Sequence, residues 1–410
     1  MLKTQVIGLG AAGNKAAITL KAAGVISADK MLLVNSTEKD IPEGYKAAGG
    51  KYSIIGDGIG GCGQERSKGR DIAFAALQNG SLNLDSFVLP DTELIVLITS
   101  TEGGTGSGSS VVVAKYLSEV LKQNVVVFAI TGFEQSARAI WNTIEFFKDM
   151  QDDYHIEILR NKKFLADARN NQLKAEQAAN NEIVNRYKIL VGLTIHDAEQ
   201  NIDSRDLKKL STEAGWGNIE FRHIDEKIKN TQQFNDIIND MIDETKSFDV
   251  AEGSQKRLGV IVSLSEKEQD AIDYSFQEII AKYGNPYELY KHIQVAEEDT
   301  ERYIAFISTG MHLPLDELEA LYNEANKASE KVVKEKDDFF SKIQNLNRTD
   351  EDSMFDLKEK KGNEEQMKAA KQDFFSNFKS VSTPAPTEKK EERTAQSVRA
   401  QAKADLEQNY

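Results

Sequence analysis

Six residues, Gly103-Gly104-Thr105-Gly106-Ser107-Gly108, sit between an apolar strand signal, Glu93 to Thr99, and a helical one. A glycine turn at such a junction lets bare backbone N–H groups approach an anion, and the helix N-terminus adds positive potential. The run reads as a phosphate cradle. Its outer glycines have the Walker spacing, but Ser109 stands where the phosphate-loop lysine belongs. A second run, Gly8-Leu9-Gly10-Ala11-Ala12-Gly13, follows the strand Gln5-Val6-Ile7 and matches the dinucleotide fingerprint. That fingerprint requires an acid at the end of the second strand, to hold the ribose hydroxyls. Here Val34 is followed by Asn35, Ser36 and Thr37, with no carboxylate before Glu38. A nicotinamide-dependent oxidoreductase would also have no role for the Gly103 cradle. Two cradles at adjacent strand ends instead suit a nucleoside di- or triphosphate gripped from several sides.

The elements that must hold these turns alternate. Strands are expected at Gln5–Ile7, Met31–Val34, Leu94–Ile98, Val125–Ile130 and Ile156–Leu159, with helices at Asn14–Ala23, Ile72–Leu77 and Val111–Leu121. Near-continuous apolar strands alternating with helices imply a Rossmann-like parallel sheet covered on both faces, an α/β fold. Ligands of such sheets sit at the carboxyl ends of the strands, where both glycine runs lie. A long central helix is expected from about Gln172 to Ile195. Strands at Ile219–Ile224, Gly259–Leu264 and Tyr303–Ser308, with helices between, read as a smaller second α/β domain. Beyond Leu315, the residues Leu318, Tyr322, Ala325, Val332, Phe339, Ile343 and Leu346 form one apolar stripe. A helix of roughly 30 residues would extend about 45 Å. The expected plan is a nucleotide-binding domain over 1–200, a second domain over 201–312, an extended C-terminal helix region over 313–380 and a disordered tail over 381–410.

Composition narrows the classes. The chain has 410 residues, 40% hydrophobic and 29% charged, with a formal net charge of −15. That charge argues against direct, sequence-specific DNA binding by the body of the protein. A single cysteine, Cys62, excludes an internal disulfide and a cysteine-cluster metal site, and the five histidines show no metal-ligand spacing. Met1-Leu2-Lys3-Thr4 runs straight into a strand, leaving no room for a signal peptide, and no apolar stretch reaches membrane-spanning length. The expected location is cytoplasmic.

With these residues in view, the chain resembles the tubulin/FtsZ superfamily of GTPases. Ser100-Thr101-Glu102-Gly103 followed by Gly103–Gly108 resembles the signature loop, and Gly8 to Asn14 resembles the first phosphate loop. Asn35-Ser36-Thr37 is similar to the family's Asn-Thr-Asp loop, with Thr37 replacing the acid and leaving the metal ligands unassigned. Gly61-Cys62-Gly63 and Gly69-Arg70 have the spacing of the loop that senses the γ-phosphate, without its usual Asn-Pro. The resemblance implies GTP or GDP with Mg²⁺ as ligands. It implies contacts from Gly8, Gly10, Ala11, Ala12, Asn14, Asn35, Gly61, Gly63 and Gly103 to Gly108, including Thr105 and Ser107. Phe133-Glu134 and Arg138 repeat the family's Phe-Glu-x-x-x-Arg, implying ribose and nucleotide contacts for Glu134 and Arg138. Taken alone, that pair reads as an i,i+4 surface ion pair on a helix. Asn161 and Asn181 match the family's guanine-reading asparagines.

Asn201-Ile202-Asp203-Ser204-Arg205-Asp206 resembles the Asn-x-Asp-x-x-Asp loop that reaches the nucleotide of the neighbouring subunit. In isolation it reads as a helix N-cap with first-turn acids. Under the resemblance, Asn201, Asp203 and Asp206 are catalytic, because carboxylates can orient a water and accept its proton. The matched motifs run from Gly8 to Asp206 and cover about half the chain. A long terminal helix before a charged tail resembles the plasmid and phage tubulins of the TubZ type. That implies self-association into filaments that move DNA through a DNA-bound adaptor held by the C-terminal tail. The alternatives are an FtsZ-like division GTPase, a nucleotide-binding structural protein without turnover, and the oxidoreductase.

Overall fold

A computed structural model describes residues 1–58, 60–196, 198, 201–249, 254–298 and 301–328. The first half alternates strands with helices, with two helices in a row only between β3 and β4: β1 (Thr4–Leu9), α1 (Gly10–Ala22), β2 (Met31–Thr37), α2 (Glu43–Ala47), β3 (Lys51–Gly58), α3 (Arg66–Asn79), α4 (Leu84–Phe87), β4 (Leu94–Ser100), α5 (Thr105–Lys115), β5 (Val125–Thr131), α6 (Ala137–Met150) and β6 (His155–Arg160). The long helix α7 (Gln172–Val191) and the short α8 (Ser204–Thr212) follow. Then come β7 (Gly215–His223), α9 (Thr231–Asp243), β8 (Arg257–Leu264), α10 (Glu266–Gln269), α11 (Gln277–Tyr283), β9 (Glu288–Val295), β10 (Tyr303–Met311) and α12 (Leu315–Ala328).

All ten strands form one sheet in the order β3-β2-β1-β4-β5-β6-β7-β10-β8-β9. Every pairing is parallel except those of β10 with β7 and β8. The seam between the two halves is the parallel β6–β7 pair, three residues long from His155↔Gly215 to Glu157↔Gly217. Alternate side chains of each strand enter opposite cores, as pleating requires. Ile7, Leu9, Ile95 and Leu97 pack with residues of α3, α5 and α6, whereas Val6, Val96 and Ile98 pack with residues of α1, α7 and α8. The α/β fold with a mostly parallel sheet and a long central helix is as expected from the sequence.

The differences have local causes. α1 and α5 begin inside the glycine runs, at Gly10 and Thr105, so the last residues of the Gly103–Gly108 run are the first turn of a helix. α7 stops at Val191 because Gly192, at φ +73°, supplies the left-handed C-terminal cap. Two strands were not anticipated, β3 and β9. Both lie at sheet edges and are largely half-exposed, so neither carries a continuous apolar run. Of the C-terminal stripe, Leu318, Tyr322 and Ala325 are buried on α12, and Tyr322 packs edge-on against Trp141 of α6 with ring centres 4.9 Å apart. Val332, Phe339, Ile343 and Leu346, the Phe374–Phe378 cluster and the tail from 381 lie outside the described residues.

Among the described residues, no helix is long and apolar enough to cross a membrane.

Candidate functional site

The carboxyl ends of β1, β2 and β4 open into a cavity of about 260 Å³. Gly10, Ala11, Ala12, Asn35, Gly61, Gly103, Gly104, Thr105 and Gly106 line it, together with Leu9, Ser36, Asp40, Cys62, Gln64 and Ser100. Two helix N-termini converge there. Neither α1 nor α5 has a side-chain N-cap, whereas α6, α7, α8 and α9 are capped by Ser136, Asn171, Asp203 and Asn230. The α5 backbone bond from Gly108 N to Gly104 O, 3.1 Å, leaves the preceding N–H groups ahead of it. Uncapped first-turn N–H groups at two helix N-termini are suited to an anion.

Glycine is what allows the convergence. Gly10 has φ +72°, and a Cβ there would lie 2.8 Å from Gly106 N. A Cβ on Gly106 would in turn lie 2.7 Å from the Leu9 carbonyl oxygen. The two cradles therefore touch backbone to backbone. A Cβ on Gly108 would overlap the Arg66 carbonyl, and one on Gly69 the Gly104 carbonyl, so these glycines seat α3 against α5 behind the cavity.

Other expected residues form the supporting wall. Ser107 is buried and its Oγ accepts from Arg66 Nε at 3.0 Å. Arg66 and Arg70 both pair with Asp149 at 2.6 Å, and burial lowers the Arg66 guanidinium pKa against the pull of that carboxylate. Asn14 is buried on α1; its Nδ2 donates to Val34 O at 3.3 Å, and its Oδ1 is buried without a partner. Gly8 packs against that amide, and Gly63, at φ +57°, turns the β3–α3 loop. Asn35 Nδ2 donates to Asp40 at 3.1 Å, and the hydroxyls of Ser36 and Thr105 are 2.8 Å apart.

Glu134 and Arg138 do not pair as a helical surface couple. Glu134 precedes α6 with φ +56°, and its nearly buried carboxylate binds Arg160 at 2.7 Å and Lys162 at 3.1 Å; Arg138 is exposed in the first turn of α6. The Glu134 N–H donates to Glu102 at 3.0 Å. Burial raises the Glu102 carboxyl pKa, against the lowering effect of backbone N–H groups from Glu134, Gly132 and Phe133. Asn161 follows β6 and is buried, with Oδ1 unpartnered, while Asn181 is exposed on α7. Neither asparagine lines the 260 Å³ cavity.

The acid loop lies elsewhere. Asp203 caps α8, accepting from Arg205 N at 2.7 Å and Asp206 N at 2.9 Å, and Asp206 Oδ2 accepts from Asp203 N at 3.2 Å. This is a reciprocal capping box. Asn201 Oδ1 accepts from Ala198 N at 3.0 Å. Leu2 N donates to Val191 O at 2.9 Å, placing the end of α7 beside the amino end of β1. A Cβ on Gly192 would touch Leu207 of α8 and lie 3.7 Å from the Met1 Cα. Asp206 immediately precedes Leu207 and Asp203 lies one turn before it, so both acids sit at the amino end of β1, while the cavity opens at its carboxyl end.

No protein-family model matches the chain. In sequence it is similar to the tubulin-like protein CetZ1 of Haloferax volcanii, 25% identical over 235 residues. It is also similar to cell division protein FtsZ 1 of Methanocaldococcus jannaschii, 26% identical over 226 residues. Each match takes in 53% of this chain and spans 58% of the length of the curated relative. In structure it resembles CetZ2 from Haloferax volcanii, solved as a GTPγS-bound protofilament, with TM-score 0.65 and 18% identity over 80% of this chain and 99% of that one. It likewise resembles the tail-truncated TubZ of Clostridium botulinum phage c-st, with TM-score 0.60 and 16% identity over 81% and 98% of the two chains. The chain has the fold of these tubulin- and FtsZ-like proteins.

Within this fold, the sequence reading missed one chemically distinct wall residue. Thr37 replaces the family's acid, yet among the described lining residues Asp40 is a carboxylate, three positions further on. It sits on the short 3₁₀ turn Glu38–Asp40 that follows β2. The signal in the sequence was its spacing from Asn35, close enough for the amide of Asn35 to hold it.

Proposed function

We propose that the chain is a GTPase that polymerises head to tail, each nucleotide cavity completed by the acids of the next subunit. One observation carries the reading: the cavity and the Asp203–Asp206 pair occupy opposite ends of β1, so one subunit's acids cannot serve its own cavity. A copy stacked end to end brings the two together. The uncapped helix termini hold the phosphates, and Asp203 and Asp206 orient a water and take its proton. The likeness to a GTPγS-bound protofilament of CetZ2 supports both ligand and assembly.

Oxygen donors that line the cavity fit a magnesium ion: the Asp40 carboxylate and the paired Ser36 and Thr105 hydroxyls. Bound there with the nucleotide, the ion would neutralise phosphate charge. A lone carboxylate beside phosphates would otherwise repel them. Asp40→Asn should therefore weaken nucleotide binding in Mg²⁺ and leave binding in EDTA unchanged or improved. Calorimetric titration in both buffers checks this; an equal loss in both would place Asp40 outside the metal's reach.

The likeness to the phage TubZ supports a finer assignment, the movement of plasmid or phage DNA through an adaptor held by residues beyond 380. The 26% identity to FtsZ 1 favours a second reading, a division filament. Pull-down with the 381–410 peptide separates them by whether a DNA-bound or a membrane-bound partner is retained.

The assembly reading is tested by turnover per molecule across a wide range of protein concentration. Completion by a neighbour requires near-zero turnover when dilute and a steep rise above a threshold. Constant specific activity would mean a self-contained site.

A further inference from the structure

We propose that His292, on the edge strand β9, is a positioning residue for the catalytic acids, fixing the backbone immediately ahead of Asp203. The proposal deepens the shared-site reading above and rests on it.

An acid loop that serves a neighbour makes no contact with its own cavity, so its order has to come from elsewhere in its own subunit. Ile202 and Leu207 bracket Asp203 and Asp206 and are buried in the core shared with α7. The capping box ties Asp203 to Asp206. What ties the loop to the sheet is β9.

Glu288, Tyr290, His292 and Gln294 alternate along β9 and share one face. His292 is fully buried, and its Nδ1 accepts from the Ile202 N–H at 3.3 Å. A backbone N–H can only donate, so Nδ1 is the unprotonated nitrogen and the ring proton sits on Nε2. Nε2 in turn donates to Gln294 Oε1 at 2.8 Å. Burial pushes the imidazolium pKa down, which keeps the ring in this neutral form. Gln294 is buried too and uses both ends of its amide. Its Oε1 also accepts from His196 N at 2.9 Å, and its Nε2 donates to Thr194 O at 3.1 Å and Ser263 Oγ at 3.2 Å. The Tyr303 hydroxyl donates to the same Thr194 carbonyl at 2.8 Å. The pair thus holds the chain where it leaves α7, at Thr194 and His196, and where it reaches the acids, at Ile202.

Further along the same face, Lys209 of α8 donates to Glu288 Oε1 and to the Tyr290 hydroxyl, each at 3.3 Å. β9 therefore grips the loop ahead of Asp203 and behind Asp206. The His292 contact matters most because it is buried and adjoins the acid. Without that acceptor the Ile202 N–H is a buried donor left unpaired, and the backbone gains by turning toward another partner. Asp203 is the next residue and moves with it. A misplacement of about 1 Å in a reacting group can cost on the order of 100-fold in rate.

The test measures phosphate release per polymerised subunit, GTP affinity and the assembly threshold in the full-length chain. The variants are His292→Asn, His292→Gln and Lys209→Met, with Asp206→Asn as the reference for lost catalysis and circular dichroism to confirm folding. In asparagine Oδ1 is bonded to Cγ, as Nδ1 is in histidine, so His292→Asn keeps an acceptor for Ile202 and gives up the bond to Gln294. In glutamine the amide nitrogen takes the place of Nε2, so His292→Gln keeps the bond to Gln294 and gives up the acceptor. His292→Gln is expected to lower turnover per polymerised subunit by at least about tenfold, with GTP affinity and threshold near those of the wild type. His292→Asn should retain most of the turnover. Lys209→Met should lower it by a smaller factor, and because Lys209 is partly exposed on α8 this variant decides the matter where His292→Gln does not fold. Equal falls in the two His292 variants would reduce the ring to packing and overturn the proposal. Unchanged turnover in folded His292→Gln, or in Lys209→Met where His292→Gln does not fold, would overturn it as well. So would a raised threshold with normal turnover per polymerised subunit, each of these leaving the shared-site reading intact. Full turnover in Asp206→Asn would remove the shared-site reading itself.

Discussion

Asp206→Asn is expected to bind GTP, polymerise and then stall, with turnover lowered by on the order of 100-fold or more, the usual worth of a positioned general base. The substitution is chosen for what it preserves. Asp206 Oδ2 accepts the Asp203 N–H at 3.2 Å, and an asparagine retains an amide oxygen for that bond, so the start of α8 stays capped. Only the charge and the basicity are removed. Filaments of the variant should therefore persist where those of the wild type shrink, seen by light scattering alongside phosphate release. Loss of nucleotide binding in this variant would place Asp206 in its own subunit's pocket. Asp203→Ala would be a poorer probe, because Asp203 accepts from the Arg205 and Asp206 N–H groups and truncating such a cap costs about 1 kcal/mol of stability.

Ala11→Glu attacks the opposite end. Ala11 is exposed in the first turn of α1 and lines the cavity, so the longer side chain has room and an acid there suits the helix dipole. Phosphates seated on the α1 terminus would lie within a few ångströms of the new carboxylate. Two like charges about 4 Å apart at an effective dielectric of about 20 repel by about 4 kcal/mol, on the order of a 1,000-fold loss of affinity. Competition with a fluorescent GTP analogue measures it, and melting curves without nucleotide show whether the fold is unchanged. Retained affinity would mean that phosphates do not sit on the α1 terminus.

The parts of this molecule that were legible in the sequence are those fixed by local chemistry. The central strands are buried on both faces and read as apolar runs, and the glycine runs mark their carboxyl ends. Edge strands β3 and β9 escaped because pairing on one side leaves half their residues in solvent. The glycine runs concealed the starts of α1 and α5, since glycine has little helix propensity of its own and enters those turns for close approach.

The site was legible where it is backbone and obscure where it is long-range. Gly10, Ala11 and Gly103–Gly106 lie on the cavity, but Asp40 reaches it only through the turn after β2. The partners of Glu134 are 26 and 28 residues away, and no spacing rule joins them to it. The i,i+4 relation to Arg138 pointed to the wrong cation. The Asn201–Asp206 loop could be read both as a cap and as a catalytic loop. Its hydrogen bonds make it a cap, and a cap at the far end of β1 is compatible with service to a neighbour.

Mixing the two variants tests the account most directly. Ala11→Glu keeps its acids and loses its cavity, while Asp206→Asn keeps its cavity and loses its acid. Each alone should release almost no phosphate at any concentration. Combined in equal amounts above the assembly threshold, phosphate release should reappear at a substantial fraction of the wild-type rate, because Asp206 of one variant then faces the cavity of the other. A mixture as inactive as its components, with both variants shown to enter the same filaments, would contradict a site shared between subunits.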